Sequence, residues 1–441
     1  MVIIDEITRQ FIRSHYNEDV RSLALQSQRY KGVNMPVALT QIAGWRKAVE
    51  KIPSWSKIED IVYPVHLSLE QCSSENTARF KAGIIESIIS ENGDESLTDL
   101  TGGFGIDCAF LAPLFQRVTY VERQQELCEI AAYNFPLLGL DKIQVIHEDG
   151  CRYLREMPPV NWIFIDPARR DKQGGKVFAI ADCEPNVVEL ESLLLEKAEH
   201  VMVKLSPMLD LSQAINELKG VEAAYVISVG NECKELLLIL GHNPLPAEQV
   251  VVHCVNLSTK RTGVSEPPSY ASLHCTNRTT KAKSIICHIP ADDLGQTANT
   301  DKNFSFTREQ ESNAICEYTA KPDGYLYEPN ASILKAGAFR SIAMAFQLKK
   351  LHSNSHLYVS NKPIDGFPGR RFHISGVSSP NKKELSGLLG GIKKANLSIR
   401  NFPSTTAELG KKLNVKDGGD IYLFATTLAD ERKVMIRCKK C

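Results

Sequence analysis

The sequence predicts an α/β protein with a mostly parallel, seven-stranded central sheet, a helical N-terminal region and two smaller C-terminal α+β modules. The first supporting observation is the segment LTDLTGGFGIDC at residues 97–108, in which a buried strand ends in a glycine-rich turn and a helix begins. The second is the alternation of short apolar strands with helical segments over the following 130 or so residues. Such a turn lets a nucleotide-like ligand approach the backbone closely.

The spacing of the glycines distinguishes two classes of cofactor. A dinucleotide fingerprint GxGxxG read from Gly103 requires a third glycine where the chain has Cys108. Asp99, Thr101, Gly103 and Gly105 stand at alternate positions instead, which resembles motif I of class I S-adenosylmethionine (SAM) methyltransferases. We therefore expect SAM rather than a dinucleotide.

Acidic residues also follow the next three predicted strands. VTYVERQ ends at Glu122, KIQVIHEDG at Asp149 with its neighbours, and NWIFIDPARRD at Asp166. Because the carboxyl ends of parallel strands meet at one edge of a sheet, these carboxylates are expected along a common ligand-binding edge. A carboxylate at Glu122 can accept hydrogen bonds from both ribose hydroxyls.

The predicted sheet closes with an antiparallel pair. HVMVKLSP at 200–207 is the fifth strand, and strands at 223–229 and 234–241 follow. The last two are joined by residues 230–233 only, which is too short for a helical crossover, so they must form a hairpin. This ending argues against a dehydrogenase.

Residues 70–241 thus resemble the class I methyltransferases. The segments EQCSSENTARFKA, DLTGGFGID, IDPARRD and YEPNASILKAGAF further resemble a bacterial group of these enzymes that carries a C-terminal THUMP-like domain. The resemblance implies that motif I holds the methionine part of SAM, and that the helix before the first strand closes over the cofactor. The implied cofactor-binding residues are Ser74, Arg79, Asp99, Thr101, Gly102, Gly103, Gly105, Glu122, Arg123, Asp149 and Gly150. For Ser74 and Arg79, helix capping and a surface role remain the alternatives.

The loop DPARRD after the fourth strand is the candidate catalytic segment. In amino-group methyltransferases an acid or Asn precedes Pro, Pro and an aromatic residue; Asp166 and Pro167 match this pattern, but the next two residues do not. Asp166 is expected to accept a proton or orient the nucleophile, with Arg169 in the catalytic set. Arg169 and Arg170 either bind a phosphate or carboxylate or form a solvated turn. Arg170 is a candidate substrate-binding residue. Residues 205–207 read Leu-Ser-Pro, which excludes the cysteine needed for pyrimidine C5 methylation.

The net charge of zero hides a division between the two parts of the chain. Residues 1–250 hold 24 Lys and Arg against 36 Asp and Glu, whereas residues 251–441 hold 28 against 16. The basic part therefore predicts a polyanionic partner, RNA, although basic residues that only solvate a surface remain the alternative. Basic clusters supply the candidate substrate-binding residues, Arg370, Arg371, Lys393 and Lys394.

Composition adds bounds on the class of protein. No apolar run approaches the ~20 residues of a membrane span, and the N-terminal segment is too charged for a signal peptide. Twelve cysteines are scattered without a framework, which suits reduced thiols. We expect a cytoplasmic protein without a membrane partner. No metal is expected, since the CKKC pair at the end of the chain has no second pair nearby.

Four domains are predicted: a helical module at 1–69, a SAM-dependent methyltransferase domain at 70–242, an α+β, ferredoxin-like module at 243–366 and a THUMP-like basic module at 367–441. True THUMP domains bind RNA. The resemblance therefore implies methylation of tRNA or rRNA at nitrogen or oxygen by direct displacement. A methyltransferase for a small molecule or protein, and a non-catalytic RNA-binding protein, are the alternatives.

Overall fold

The computed structural model describes residues 4–89, 95–169, 179–259 and 303–441. The chain divides into two compact units. The first consists mainly of Met1–Leu209, and the second mainly of Asp210–Leu238, Asn243–Leu257 and the residues from 303 to Cys441. Each unit contains its own set of predicted functional residues.

The chain begins with helices, as the sequence predicts. Asp5 and Asn34 cap two of them, because each side chain accepts a hydrogen bond from the backbone N–H three residues later. The apolar faces of the first three pack against each other through residues such as Phe11, Leu23 and Ile42. The helices are α1 (Glu6–His15), α2 (Val20–Leu25), α3 (Met35–Lys51), α4 (His66–Gln71) and α5 (Glu75–Glu86).

A sheet of nine strands follows, rather than the seven predicted. Its strands are β1 (Ser96–Asp99), β2 (Arg117–Glu122), β3 (Ile143–His147), β4 (Val160–Ile165), β5 (Ala198–Leu205), β6 (Val221–Val229), β7 (Glu232–Gly241), β8 (Val251–Leu257) and β9 (Phe304–Thr307). Their spatial order is β9-β8-β6-β7-β5-β4-β1-β2-β3. The helices between them are α6 (Ile106–Leu111), α7 (Gln125–Leu137), α8 (Gly150–Glu156), α9 (Val187–Lys197) and α10 (Leu211–Glu217).

The two additional strands extend one edge of this sheet. The segment 251–257 was expected in the ferredoxin-like module, but β8 pairs in parallel with β6 along its whole length. Strand β9 then pairs antiparallel with β8. This covers the edge that β6 would otherwise present to solvent as unpaired N–H and C=O groups.

The predicted hairpin is present between β6 and β7, which are neighbours in the sheet. Gly230 and Asn231 connect them, with φ angles of 58° and 68°. Two consecutive left-handed residues are what a two-residue turn of type I′ requires. The segment SIICHIP at residues 284–290, whose apolar residues predict a further strand, lies outside the described residues.

The register of the parallel strands brings the predicted acids to one edge. Asp99 at the end of β1 stands opposite Tyr120 of β2 and Phe164 of β4. Glu122 at the end of β2 stands opposite His147. The carboxyl ends of β1, β2 and β4 therefore lie side by side, as expected for a ligand-binding edge.

The second unit contains a seven-stranded sheet. Its strands are β10 (Tyr325–Pro329), β11 (Lys349–Lys350), β12 (Tyr358–Ser360), β13 (Gly369–Ser378), β14 (Asn396–Arg400), β15 (Ile421–Thr427) and β16 (Lys433–Lys440). Their order is β11-β12-β10-β13-β16-β15-β14. The helices are α11 (Arg308–Asn313), α12 (Ala331–Ala336), α13 (Ser341–Ala345), α14 (Lys382–Leu389) and α15 (Thr406–Leu413). Helices α14 and α15 pack on one face of the sheet through Leu385 and Leu409.

One predicted helix is shorter than expected. The sequence predicts a helix that runs from a cap at Asn330 or Ser332 to His352. Asn330 is the cap, but α12 ends at Ala336, and Gly337 after it adopts φ 83°. The chain forms the short α13 and then turns at Gln347, where φ is 51°, into β11. Left-handed residues interrupt the hydrogen-bond ladder of a helix, so the segment cannot remain continuous.

Within the described ranges, no helix is both long and apolar enough to cross a membrane. The same ranges contain no cluster of three or more His, Cys, Asp or Glu side chains able to hold a metal ion.

Two helical glycines provide a matched test of the packing in the first unit. A methyl group at Gly44 of α3 would lie 2.4 Å from Cβ of Tyr63, whereas one at Gly83 of α5 would meet no atom within 4 Å. We expect Gly44→Ala to lower the free energy of unfolding by about 1–3 kcal/mol through overpacking. Gly83→Ala should raise it by roughly 0.5–1 kcal/mol, because alanine restricts the unfolded chain. Urea unfolding measures both, and shifts of the same sign would contradict this packing.

Candidate active site

The glycine-rich turn is fixed by hydrogen bonds to its own strand end and to β2. The N–H of Thr101 donates to Asp99 Oδ1 at 3.0 Å. The N–H of Gly103 donates to Glu122 Oε2 at 2.8 Å, and the Tyr120 hydroxyl donates to the Gly103 carbonyl at 2.5 Å. The turn is therefore held rigidly before any ligand arrives.

Close packing explains the glycine at position 102. A Cβ atom there would lie 2.2 Å from the Tyr120 ring. At Gly103, by contrast, the space is open, since the nearest atom to an added Cβ is 3.8 Å away, and φ is 56°. The turn thus leaves room for a ligand beside Gly103 but none beside Gly102.

Glu122 lies at the end of β2 with only 7% of its surface exposed. Its Oε1 accepts a hydrogen bond from the N–H of Gln124 at 2.8 Å, and its Oε2 accepts from Gly103. Each carboxylate oxygen retains a second lone pair. This carboxylate is oriented in advance to accept two further hydrogen bonds.

Asp166 follows β4 and is tied to the glycine turn. Its N–H donates to Thr101 Oγ1 at 2.7 Å. Its carboxylate forms an ion pair with Lys204 of β5, and its side chain is 33% exposed. Pro167 is buried beside it. The backbone of Arg169 pairs with Cys183, and Arg170 lies outside the described residues.

Sequence reasoning missed a buried cluster behind Asp166. Asp107 of α6 lies between two ammonium groups: Lys81 of α5 is 3.2 Å from Oδ1, and Lys204 is 3.3 Å from Oδ2. Ser73 donates to Oδ2 at 2.7 Å, and its hydroxyl accepts from both lysines at 3.2 and 3.3 Å. The cluster connects α5, α6 and β5 to the candidate catalytic carboxylate.

The pKa values of the carboxyl groups in and near this cluster shift in different directions. Burial alone would raise the pKa of Asp107, but Lys81 and Lys204 lower it to about 2. Burial raises the pKa of Asp166, and the Lys204 ammonium opposes that rise. Burial raises the pKa of Asp99 well above its usual range, with a smaller opposing hydrogen bond from Thr101. Lys204 is thus the cation that favours an ionised Asp166.

Comparison with known proteins assigns this arrangement to a family. The chain is 31% identical to a protein proposed to be a methyltransferase, from Porphyromonas gingivalis W83, whose crystal structure matches it over 100% of both chains with a TM-score of 0.79. The chain is a member of this methyltransferase family. It has the class I SAM-dependent methyltransferase fold that the glycine turn and the hairpin predict, extended by two strands.

Three family descriptions match parts of this methyltransferase. Residues 58–171 match protein-L-isoaspartate(D-aspartate) O-methyltransferase, residues 325–368 a ferredoxin-like domain, and residues 369–440 a THUMP domain-like family. The THUMP-like module predicted from the sequence is therefore confirmed. An uncharacterized RNA methyltransferase of Mycoplasma mobile is 29% identical over 153 residues, 34% of this chain. The match spans 40% of the length of that relative.

The residues at the carboxyl ends of β1 and β2 fit SAM. Asp99 Oδ2 is buried and has no hydrogen-bond partner in the described part of the chain, which is unusual for a native polar atom. Glu122 has two free acceptor positions, and Gly103 leaves open space. An amino group and a diol are the chemical groups that these carboxyl oxygens would bind.

Other predicted cofactor residues have structural contacts. Ser74 caps α5 through the N–H of Thr77 at 3.3 Å. Arg79 pairs with Glu75 at 2.7 Å, and the exposed Arg123 lies 3.4 Å from Glu184. Their roles toward SAM stay predictions.

The loop after β3 lies close to β1. Asp149 caps α8 by accepting from the N–H of Arg152 at 3.0 Å. Gly150 approaches β1 so closely that a Cβ would lie 2.2 Å from the Leu100 carbonyl oxygen. The requirement for glycine at position 150 is therefore steric, and the role of Asp149 toward adenine stays a prediction.

The predicted substrate residues lie in the second unit. Arg371 pairs with Asp365 at 3.0 Å, and Arg370 with the buried Glu328. Lys393 and Lys394 are exposed in the loop before β14. The two arginines thus have acidic partners, whereas the two lysines face solvent.

The Asp107 cluster predicts a pH-dependent loss of stability. Its folded pKa of about 2 lies below the ordinary 3.8, so its contribution is complete above about pH 4 and is lost as the pH falls toward 2. Asp107→Asn removes the carboxylate that Lys81 and Lys204 share, so that only the Asp166 carboxylate still pairs with Lys204, and should lower the free energy of unfolding by about 3 kcal/mol at pH 7.

Urea unfolding at pH 7 and pH 3 measures this difference, which should shrink at the lower pH. Asp141→Asn is the control, because Asp141 is exposed at the surface of the first unit. A difference that does not change with pH would contradict the assigned ionisation of Asp107.

Proposed function

We propose that this protein is a SAM-dependent methyltransferase that acts on RNA, at a nitrogen or oxygen atom, by direct displacement. The observation that supports the reaction most strongly is the position of Asp166, one hydrogen bond from the glycine turn and paired with Lys204. A carboxylate placed there can accept a proton from the N–H or O–H group that receives the methyl group. A cytoplasmic location is part of this proposal.

Charge supports RNA as the substrate. The THUMP-like residues 369–440 hold 15 Lys and Arg against 6 Asp and Glu. Contacts between cations and phosphates supply most of the affinity of nucleic-acid binding, because they release condensed counterions. The Mycoplasma relative is named an RNA methyltransferase, which agrees with this assignment.

In the proposed mechanism, some residues of the first unit bind SAM and another accepts a proton. SAM, when bound, supplies a methyl group already activated on a sulfonium. Glu122 would hold the ribose, and Asp99 with the glycine turn would hold the methionine part. The Asp166 carboxylate would accept the proton that the attacking N–H or O–H group loses, so no covalent protein nucleophile is required.

Lys204 is the positioning residue in this mechanism. Its ammonium contacts Asp166 directly and is itself held by Asp107 at 3.3 Å. A fixed cation keeps a buried carboxylate ionised and restricts its rotamers. The geometry therefore favours an ionised Asp166 and orients its carboxylate before substrate binds.

Incubation of the protein with methyl-labelled SAM and total RNA from a strain that lacks it tests the proposed function. We expect label in one nucleoside of one RNA class, identified after digestion. Label in protein or in small molecules instead would favour the alternative substrates. No transfer and no heat of SAM binding in calorimetry would end the enzyme hypothesis.

Substitutions at two strand ends should separate binding from chemistry. Glu122→Gln retains the shape of the side chain but removes its charge, so the affinity for SAM should fall roughly tenfold or more. Asp166→Asn should leave SAM binding within about twofold and reduce transfer roughly 10²–10⁴-fold. Calorimetry and single-turnover transfer measure the two effects, with the exposed Glu126→Gln as control. Equal losses of SAM affinity in both variants would refute the division of roles.

Lys204→Met should change the pH dependence of transfer. Without the ammonium, the pKa of Asp166 rises further, and because Asp166 acts as a carboxylate the acid limb of the rate profile moves to higher pH. Lys204→Arg, which keeps the cation, should restore most of the profile. A uniform loss of rate at every pH would indicate that Lys204 only stabilises the fold.

A further inference from the structure

A buried carboxylate in the second unit holds two arginines from different strands. Glu328 of β10 is 1% exposed and stands opposite Arg370 of β13 in the strand register. Arg370 donates to its Oε2 through Nε, at 2.8 Å, and through Nη2. Arg400 of β14 donates to Oε1 through Nε and Nη2 at 3.2 and 2.9 Å. A single carboxylate thus receives two guanidinium groups.

This group carries one uncompensated positive charge that solvent can reach. The side chains of Arg370 and Arg400 are 37% and 34% exposed, whereas that of Glu328 is 2% exposed. The Nη1 nitrogen of each guanidinium has no hydrogen-bond partner among the residues that the structure describes. Two planar donors are therefore available to an anion at one place on the surface.

Neighbouring side chains hold the Arg370 guanidinium and the Glu328 carboxylate in place. The Arg370 guanidinium lies 5.5 Å from the centre of the Phe372 ring and 6.0 Å from that of Tyr422. The Ser398 hydroxyl donates to Glu328 Oε1 at 3.3 Å. Little side-chain freedom remains to be lost when a ligand binds, which favours affinity.

The arginine pair lies beside a second apolar core, on the sheet face opposite α14 and α15, where Leu326, Phe372 and Phe424 are buried. Leu397 and Ile399 of β14 pack against the cluster beneath α14 and α15. Side chains alternate along a strand, so Ser398 and Arg400 point to the opposite face. The two arginine side chains nevertheless keep about a third of their surface exposed, so an anion can reach them beside this core.

We propose that Arg370 and Arg400, held by Glu328, form a clamp for a backbone phosphate of the RNA strand. This proposal rests on the proposed function and names where its substrate is held. Guanidinium planes match phosphate oxygens, and the surrounding module has a large excess of cations. The neighbouring Arg371 differs, because Asp365 neutralises it.

Glu328→Gln separates the clamp from general attraction between cations and RNA. The substitution adds one positive charge to the module, so general attraction predicts tighter RNA binding. The clamp predicts weaker binding, since both arginines lose the anchor that orients them. Binding of a fluorescein-labelled 12-nucleotide RNA to the full chain is measured by anisotropy, well below the thermal midpoint of each variant. Tighter binding by Glu328→Gln would overturn the proposal.

Single arginine variants test the clamp while Glu328 and the other arginine stay in place. Arg370→Gln and Arg400→Gln should each weaken RNA binding roughly fivefold and lower the slope of log affinity against log salt by about one. Arg432→Gln is the matched control, because Arg432 is 65% exposed and pairs with Asp430 in the same module. Equal losses in the control and the clamp variants would overturn the clamp.

The failure of the clamp can be told apart from the failure of the proposed function. If the unmodified protein binds this RNA at 50 mM salt but the clamp variants behave as Arg432→Gln does, only the clamp is wrong. If the unmodified protein binds no RNA at that salt, the RNA substrate and the clamp are both wrong, while SAM calorimetry still decides whether the protein is a methyltransferase.

Discussion

The ion cluster around Asp107 is the interaction on which the candidate active site depends. Two lysines are buried beside it, and a buried ammonium is costly unless a carboxylate compensates it. Because the charged groups come from α5, α6 and β5, their ion pairs hold these three elements together. Lys204 then extends this cluster to Asp166. The candidate catalytic carboxylate is thus oriented by the buried ion cluster behind it.

The parts of the site that the sequence predicts are those with local signals. Glycines at alternate positions identify the turn, and acids at the ends of apolar strands identify Glu122 and Asp166, because parallel strands share one ligand-binding edge. Lys81 and Lys204 carry no such signal. One lies within an amphipathic helix and the other in an apolar strand, and only the three-dimensional structure brings both to Asp107.

The errors in the fold prediction have the same origin. The segment 251–257 has a clear strand pattern, yet nothing local tells which sheet it will join. Its partner β6 lies earlier in the chain and β9 begins only at Phe304. The break of the helix after Gly337 depends on left-handed residues, one of which is a glutamine that composition does not single out. Arg370 is predicted to bind substrate because it stands in a basic cluster, but nothing local indicates that Glu328, 42 positions away, anchors it.

A crystal structure of the protein with S-adenosylhomocysteine would test whether this sheet edge is the active site. We expect the ribose hydroxyls to bind Glu122, the amino group to lie near Asp99, and the sulfur to face Asp166 while the Asp166–Lys204 pair remains intact. A ligand bound elsewhere, or one whose sulfur points away from Asp166, would contradict the assignment of this edge as the active site.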